Sequence, residues 1–326
     1  MERNLAFKAR SELKTAIRNF FQSSNYMEVD TPFLVPSPGT EVHLDYFSSH
    51  WIDFQNKSHK RFLRSSPELH LKQAMTCGLQ RVFQIAPCFR NGGEAAKWHH
   101  PEFTMLEWYE AGISYHEFMD QTVALIHACR QQLHKAGFSC ITIPEQFEKI
   151  SVGEAFSQFV GIDLIDQDPD LAAKAIAKGK VSIQKDDDFE TCFFKLLLDE
   201  VEPELCKRDA VILYDYPASQ SALAKVEEGK AKRFELYING IELSNAFLEL
   251  LDPVENAVRI RESQNRRKAL GKEEIGDDPY FLEAMNKGLP ECCGNALGFD
   301  RLLALLLGLD GIKDVIPFHE NQIFPL

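Results

Sequence analysis

The chain has 326 residues, of which 44% are hydrophobic and 26% are charged, as in an ordinary globular protein. Its formal net charge of -13 argues against broad nucleic-acid binding, because contact with a phosphate backbone needs clustered Lys and Arg. The N-terminus is charged, no run approaches about 18 apolar residues and the eight cysteines lack C-x-x-C spacing, so we expect a cytoplasmic protein with reduced thiols and no membrane span.

The first part of the chain predicts two helices. Residues 5–22 carry apolar side chains at helical spacing, and the serines and prolines that follow end this helix. A second helix is expected to begin at Ser66 and Pro67, because serine caps helices and proline suits the first helical position. Glu68 then lies in its first turn, and Gly78 marks its end.

Two strands are predicted on either side of a polar loop. Residues 81–91 are apolar and aromatic, and residues 101–109 alternate with period two. The side chains that share one face of the second strand are Phe103, Met105, Glu107 and Tyr109. Since the two segments are close in the chain, we expect an antiparallel pair.

The rest of the chain predicts an α+β fold. A helix over 115–137 precedes a probable helical insertion at 138–210, after which strands return in residues 210–218 and 233–250. A last helix carries Phe299 on its apolar stripe. Because no linker or repeat appears, we expect a single domain over 1–326 with an antiparallel sheet flanked by helices.

The strongest local signal is a β-hairpin whose turn is Asn239-Gly240. In this register Tyr237 pairs with Glu242 and Glu235 with Ser244, so the two glutamates share a face as diagonal neighbours. Like charges at this spacing repel unless a hard cation such as magnesium lies between them. Two solvated glutamates on an exposed face are the plainer alternative.

Two arginines lie at predicted element ends. Arg90 follows a strand and Arg301 opens the last helix just after Gly298, positions where surface ion pairs are common. Together with the carboxylate pair they suit an anionic polyphosphate, because guanidinium groups bind phosphate oxygens bidentately. Glu107 and Tyr109 offer acceptors for a cationic group. Alternatively, Tyr109 only packs at the edge of the core and Glu107 pairs with a nearby lysine.

Three stretches resemble the signature motifs of class II aminoacyl-tRNA synthetases of the lysyl subgroup: TPFLVPSP, CFRNGGEAAKWHHPEFTMLEWY and GNALGFDRLLALLLG. The first begins at Thr31, which leaves no room for the anticodon-binding domain of lysyl-tRNA synthetases. The lone catalytic core is similar to the elongation factor P–(R)-β-lysine ligase family, which has alanine at the position of Ala296, where lysyl enzymes tend to have glycine.

This resemblance implies a class II catalytic core that activates (R)-β-lysine with ATP and magnesium. The acyl group then passes to a lysine side chain of elongation factor P, and no tRNA is needed. The loop from Asn91 to His100 is interpreted as a flexible clamp over ATP. The first motif builds a two-fold interface in this fold, so a homodimer is implied, with Pro32 near the contact.

The resemblance also implies residue roles. Arg90 holds the α-phosphate, Arg301 grips the γ-phosphate end, and these two are the catalytic residues. The magnesium ligands are Glu235 and Glu242. Further ATP contacts are Asn91, His100, Phe103, Glu242, Leu243 and Gly298. The β-lysine contacts are Ser66, Pro67, Glu68, Tyr109 and Glu249, with Glu107 and Asn245 nearby.

The chain departs from the family pattern in three places. The usual Arg-Asn-Glu run is interrupted by Gly92 and Gly93, His100 stands where the family has asparagine, and Ala246 replaces a usual glycine. Strict alternation places Glu249 on the face opposite Glu242, so a bulge or a twist is required if both serve one site.

Two other functions stay open. A truncated lysyl-tRNA synthetase that charges tRNA fits the motifs, but the acidic charge counts against it. A non-catalytic paralogue with a regulatory role fits the altered loop. An enzymatic function is favoured over a non-catalytic one, because both arginines and both expected metal ligands are in place.

Overall fold

The structure is a computed structural model that describes residues 1–92 and 97–319. Within these residues the α-helices are α1 (Arg3–Ser23), α2 (Glu68–Thr76), α3 (Tyr115–Lys135), α4 (Val152–Ala155), α5 (Leu171–Ala177), α6 (Phe189–Leu196), α7 (Glu202–Leu205), α8 (Pro253–Ala269), α9 (Pro279–Lys287) and α10 (Phe299–Leu306). Short π-helical turns follow α4 and α6, at Phe156–Val160 and Leu197–Val201.

The strands are mostly antiparallel, which together with the helices gives an α+β fold. They are β1 (Met27–Glu28), β2 (Leu34–Val35), β3 (Ser48–Ile52), β4 (Ser58–Leu63), β5 (Arg81–Phe89), β6 (Glu102–Ala111), β7 (Glu148–Ser151), β8 (Ala210–Pro217), β9 (Val226–Glu227), β10 (Lys230–Ile238), β11 (Ile241–Leu248) and β12 (Cys292–Gly298).

The chain divides into two compact units. The first unit contains the described residues of Met1–Ile141 and those from Glu249 onward, and the second unit is Thr142–Leu248. That residues 138–210 form an insertion in one domain over 1–326 stays a prediction.

The first unit is built on the strand order β1-β5-β6-β12. The β1–β5 pair is parallel, and the other two pairs are antiparallel. Residues Met105 to Glu110 of β6 are buried on both faces. An aromatic cluster packs Phe21 of α1 against Phe83 and Trp108, with ring centroids 4.8 and 5.4 Å away. A separate three-stranded sheet has the order β2-β4-β3.

The second unit has the strand order β7-β8-β10-β11, and β9 pairs with β10. Its core stacks Phe156 on Phe193, with ring centroids 5.2 Å apart. The β10–β11 hairpin turns at Asn239 and Gly240, whose φ angles of 49° and 74° suit a two-residue hairpin turn. A side chain at Gly240 would place its Cβ 2.8 Å from Cα of Cys206, so the turn also needs a glycine for space.

The predicted elements of the first unit are largely present. The helices expected over 5–22 and 115–137 are α1 and α3, and the antiparallel pair is β5 and β6. In this unit the elements that the sequence analysis did not predict are β1, β2, β3, β4, β12, α8 and α9.

Candidate active site

A buried ion pair network lies at the start of α2 in the first unit. The Nζ atom of Lys72 lies 2.7 Å from Oε1 of Glu68, one helical turn earlier, and 2.6 Å from Oε2 of Glu249. The side chains of Lys72 and Glu249 are each 1% exposed. Burial alone lowers the pKa of Lys72, but the two carboxylates reverse this and raise the pKa above its usual value. Lys72 is therefore an ammonium ion held by two acids.

A third acid joins this network from β6. Glu107 is 1% exposed, and its Oε1 atom accepts a hydrogen bond of 2.8 Å from the hydroxyl of Tyr109. Burial raises the pKa of Glu107 to about 8, and the neighbouring charge of Glu68 adds to this rise. Burial likewise raises the pKa of Glu249 to about 7. Three carboxyl groups thus surround one ammonium ion.

Two oxygen atoms of this cluster have neither a hydrogen-bond nor an ion-pair partner within the described part of the chain. They are Oε2 of Glu107 and Oε1 of Glu249, and both are buried. An unsatisfied buried acceptor costs about 1–3 kcal/mol, more when it is charged. These atoms are therefore ready acceptors for the ammonium groups of a ligand.

Gly294 of β12 lies against the cluster. It lies opposite Tyr109 in the sheet register, and a Cβ atom there would fall 2.2 Å from the Tyr109 ring and 2.4 Å from Oε1 of Glu249. Ala296 lies opposite Glu107. The absence of a side chain at Gly294 therefore lets the Tyr109 ring and the Glu249 carboxylate pack directly against β12.

Ser66 and Pro67 form the entry to α2 rather than part of the acid cluster. The hydroxyl oxygen of Ser66 accepts a hydrogen bond of 3.0 Å from the backbone N–H of Glu68, and the carbonyl of Pro67 accepts from the N–H groups of His70 and Leu71. The predicted cap is wrong by one position, because Pro67 is the N-cap residue, no side chain caps the helix, and the first helical residue is Glu68. Their contact with substrate stays a prediction.

Arg90 directly follows β5, as predicted, and its guanidinium lies over the ring of Phe103, 5.2 Å from the ring centroid. Its buried Nε atom has no hydrogen-bond partner among the residues that the structure describes. His100 is 8% exposed, and its Nδ1 atom is hydrogen-bonded to the carbonyl of Glu102. A guanidinium that lies on an aromatic face and has an unpartnered Nε atom suits an anionic and aromatic ligand.

Arg301 lies in the first turn of α10, after Gly298 at the N-cap, as predicted. Its Nε atom donates to the carbonyl of Trp98 at 3.2 Å, and a terminal nitrogen lies 3.1 Å from Nε2 of His99. The loop between Arg90 and His100 is thus tied to α10 at its far end. Asn91 lies at the near end of this loop and is exposed, and the N–H of Asn91 donates to the carbonyl of Asp45. Gly93 and Glu94, which carry the altered motif, lie outside the described residues.

In the second unit the hairpin register confirms one predicted pair and corrects the other. Tyr237 pairs with Glu242, but Glu235 pairs with Asn245 and not with Ser244. A β-bulge at Leu243 adds one residue to β11, and this shifts every later pair by one position. The predicted need for a bulge is therefore met, and Asn245 shares the face of Glu235.

Glu235 is held by three donors. Arg233 and Nδ2 of Asn245 contact its Oε1 atom, and the hydroxyl of Tyr237 donates to Oε2 at 2.6 Å. Glu242 lies opposite Tyr237, which is two residues from Glu235 on β10, so the register places the two acids on one face of the hairpin. An ionised carboxylate has about four lone-pair positions, so Glu235 keeps acceptor capacity for a cation.

Within residues 1–92 and 97–319, no group of three or more His, Cys, Asp and Glu side chains is arranged to hold a metal ion. Two carboxylates together with phosphate oxygens are a common magnesium site, and this donor set is compatible with Glu235 and Glu242. Their role as ligands stays a prediction. In the same described residues, every helix is too short or too polar to cross a lipid bilayer.

Comparison with known proteins identifies the family. The family model for class II tRNA synthetases of the D, K and N type matches residues 1–322, and the chain belongs to this family. Three similar relatives are elongation factor P–(R)-β-lysine ligases. The protein from Vibrio atlanticus is 36% identical over 95% of this chain and 94% of its own. The one from Proteus mirabilis is 34% identical over 97% and 94%, and the one from Avibacterium paragallinarum is 36% identical over 96% and 95%. The chain is accordingly an ATP-dependent ligase with a class II synthetase fold.

Sequence reasoning found most of the polar residues that the structure brings together, but it missed Lys72 and Gly294. The spacing of four residues between Glu68 and Lys72 was an available signal, because such pairs lie on one helix face. No comparable signal marked Gly294, whose importance depends on the closeness of Tyr109 and Glu249.

Proposed function

We propose that the protein activates (R)-β-lysine with ATP and transfers the acyl group to a lysine side chain of elongation factor P. The similarity to elongation factor P–(R)-β-lysine ligases supports this substrate and this acceptor. The observation that carries the proposal is the pair of buried carboxylate oxygens without described partners, on Glu107 and Glu249. They suit a substrate that brings two ammonium groups into a buried site.

The acid cluster explains selectivity for a dication. Glu68, Glu107 and Glu249 present three carboxyl groups against the single ammonium of Lys72. An amino acid with an uncharged side chain would leave Oε2 of Glu107 and Oε1 of Glu249 buried without a cationic partner, which costs several kcal/mol. We assign direct contact with β-lysine to Ser66, Pro67, Glu68, Tyr109 and Glu249, with Glu107 and Asn245 nearby.

ATP is bound as the second substrate in this proposal. The unpaired Nε edge of Arg90 contacts the α-phosphate, and Arg301 contacts the γ-phosphate end. The adenine lies between Phe103 and His100, and the guanidinium that now covers Phe103 turns towards the phosphates. The remaining contacts are assigned to Asn91, Glu242, Leu243 and Gly298.

Glu235 and Glu242 are the groups that would hold magnesium. When bound, the ion supplies positive charge that neutralises the phosphate oxygens. Arg233 and Tyr237 hold the Glu235 carboxylate in place from the same face of the hairpin. This fixes the orientation of Glu235 before any ligand arrives.

The reaction then has two steps that the chain's residues promote by positioning. A carboxylate oxygen of β-lysine attacks the α-phosphorus, and pyrophosphate leaves as the bond to the β-phosphate oxygen breaks. The amine of the acceptor lysine attacks the carbonyl carbon of the adenylate, loses a proton and displaces AMP. Arg90 stabilises the charge on the α-phosphate in both steps.

The remaining features of the proposal concern assembly and location. We propose a cytoplasmic homodimer in which Pro32 lies near the subunit contact. The acceptor is a protein, and tRNA is not expected to be charged.

The test supplies the purified protein with ATP, magnesium and radiolabelled (R)-β-lysine, and offers either elongation factor P or total tRNA as acceptor. We expect label on elongation factor P alone. Label on tRNA would instead support a truncated tRNA synthetase, and label on neither acceptor, in a protein that also lacks pyrophosphate exchange, would support a non-catalytic paralogue.

A further inference from the structure

The segment of residues 41–46 lies beside the end of β5, where Arg90 begins the loop. The carbonyl of Asp45 accepts a hydrogen bond of 2.9 Å from the N–H of Asn91, and the two residues form an isolated antiparallel bridge. Gly92 is also close, because a Cβ atom there would fall 3.1 Å from Oδ2 of Asp45. The backbone that follows Arg90 is therefore positioned by the 41–46 segment.

Arg267, near the C-terminus of α8, holds this segment from the other side. One terminal nitrogen of its guanidinium donates to the carbonyls of Glu41, Val42 and Leu44, at 3.0, 3.1 and 2.6 Å. The guanidinium also lies over the ring of Tyr46, 4.8 Å from its centroid. One side chain thus contacts four of the six residues of the segment.

The environment of Arg267 is unusual for an arginine. Its side chain is among the fully buried ones, at 2% exposure, and the hydrogen-bond acceptors that the structure gives it are all backbone carbonyls, including that of Glu273 at 3.5 Å. Burying a guanidinium without a carboxylate partner carries a large desolvation penalty. Lysine in the same place would lack both the second terminal nitrogen that faces the carbonyl of Glu273 and the planar group that lies over Tyr46. The contacts specify the path of the segment more than they stabilise the fold.

Lys272 adds a second attachment. Its Nζ atom donates to the carbonyl of His43 at 2.9 Å and lies 2.8 Å from Oδ1 of Asp45, the residue that pairs with Asn91. This lysine is 20% exposed and so contributes less than Arg267. Both contacts come from the same end of α8 and act on the same short segment.

We propose that Arg267 is a positioning residue for ATP binding. It fixes the 41–46 segment, and through the Asp45–Asn91 pair it sets the direction in which Arg90 leaves β5. The inference rests on the proposed role of Arg90 at the α-phosphate. It adds a residue of α8 that touches neither substrate and acts through the backbone.

A purely structural role for Arg267 makes a different prediction. If the residue only stabilised the unit, its replacement would lower the melting temperature and leave the kinetics of the folded fraction unchanged. If it positions Arg90, the KM for ATP rises while the KM for β-lysine and kcat stay near their wild-type values. A rise in the KM for ATP alone therefore indicates a positioning role, and unchanged kinetic constants indicate a purely structural one.

The experiment measures ATP–pyrophosphate exchange of the full chain with ATP and β-lysine varied in turn. We expect Arg267→Lys to raise the KM for ATP about tenfold, with the KM for β-lysine and kcat within about twofold of wild type. Lys268→Ala is the matched control, because Lys268 is 73% exposed on the same helix turn and forms a surface ion pair with Glu274. It should match wild type.

Lys272→Ala keeps the test decisive if Arg267→Lys folds poorly, and it should raise the KM for ATP about threefold. An unchanged KM for ATP in either folded variant, or an equal rise in both KM values, would overturn the inference while leaving the proposed function intact. A wild-type protein without any exchange would contradict the proposed function and this inference together.

Discussion

The ammonium of Lys72 lies 2.6 Å from a carboxylate oxygen of Glu249, and both side chains are 1% exposed. The same ammonium contacts Glu68, so one lysine joins the acid at the start of α2 to the acid that follows β11 in the chain. This arrangement holds the carboxylates in fixed positions while leaving Oε1 of Glu249 without a described partner. The cluster is thus built before a cationic ligand arrives.

Removing Lys72 should strongly destabilise the free protein. Lys72→Met leaves the buried carboxylate of Glu249 and the partly exposed one of Glu68 without their cation, and breaking a buried pair in this way costs about 3–5 kcal/mol. Replacing Glu249 by Met in addition should recover part of the loss, because the uncompensated charge is then removed. Urea unfolding of the single and double variants measures both effects.

The matched control for this pair is Lys287→Ala, which breaks an exposed ion pair with Glu283 at the same spacing of four residues. It should change the free energy of unfolding by less than about 0.5 kcal/mol. A Lys72→Met variant as stable as this control would show that the buried network contributes nothing.

Gly294→Ala should impair the substrate pocket. The new Cβ would meet the Tyr109 ring at 2.2 Å and Glu249 at 2.4 Å, and relief of such contacts costs about 1–3 kcal/mol. We expect the KM for β-lysine to rise at least about tenfold in pyrophosphate exchange. Gly276→Ala is the control, since its Cβ would meet nothing within 4 Å. Equal kinetics in the two variants would place Gly294 away from the substrate.

The stability of the ligand-free protein should fall as the pH rises through the neutral range. Burial raises the pKa of Glu107 to about 8 and that of Glu249 to about 7, so the folded chain keeps protons that the unfolded chain has already released. This stabilising contribution is complete near pH 4.5 and is lost as the pH rises to about 8.

Melting temperatures measured from pH 5.5 to 8.5 check this expectation. Because other groups also titrate, the informative quantity is the difference between wild type and Glu107→Gln. Over this range the melting temperature should fall in both proteins, and the fall should be at least about 2 °C smaller in the variant than in wild type. Parallel curves would mean that Glu107 ionises normally.

Arg90→Ala should abolish pyrophosphate exchange without unfolding the protein. The guanidinium covers Phe103 and keeps an unpaired Nε edge in the described structure, so its loss removes phosphate binding more than packing. We expect exchange to fall by at least about 100-fold. Arg18→Ala is the control, because Arg18 forms a surface ion pair with Glu28. Wild-type exchange by Arg90→Ala would remove this residue from the site.

The parts of the fold that carry a strong local pattern were predictable. Asn239-Gly240 determined the hairpin turn, and period-two alternation placed Glu107 and Tyr109 on one face of β6. The bulge at Leu243 left no comparable mark in the local pattern, because a register shift depends on packing along the whole strand. As a result, the partner of Glu235 was wrong by one residue.

The missed helix α8 has a specific physical cause. Its buried positions are Asn256 and Arg267, so the helix face that packs inward is polar and shows no apolar stripe. Strand β12 escaped detection for a similar reason, since Gly294 and Asn295 interrupt it with residues that are unfavourable in strands. Tertiary contacts, not local propensity, determine both elements.

The central claim is that the buried acids of the first unit select a doubly cationic amino acid for adenylation. The most direct measurement is kcat/KM for ATP–pyrophosphate exchange with (R)-β-lysine, α-lysine and norleucine, which lacks the side-chain ammonium. We predict the highest value for (R)-β-lysine and a loss of at least about 10³-fold for norleucine. Comparable values for norleucine and (R)-β-lysine would contradict the account.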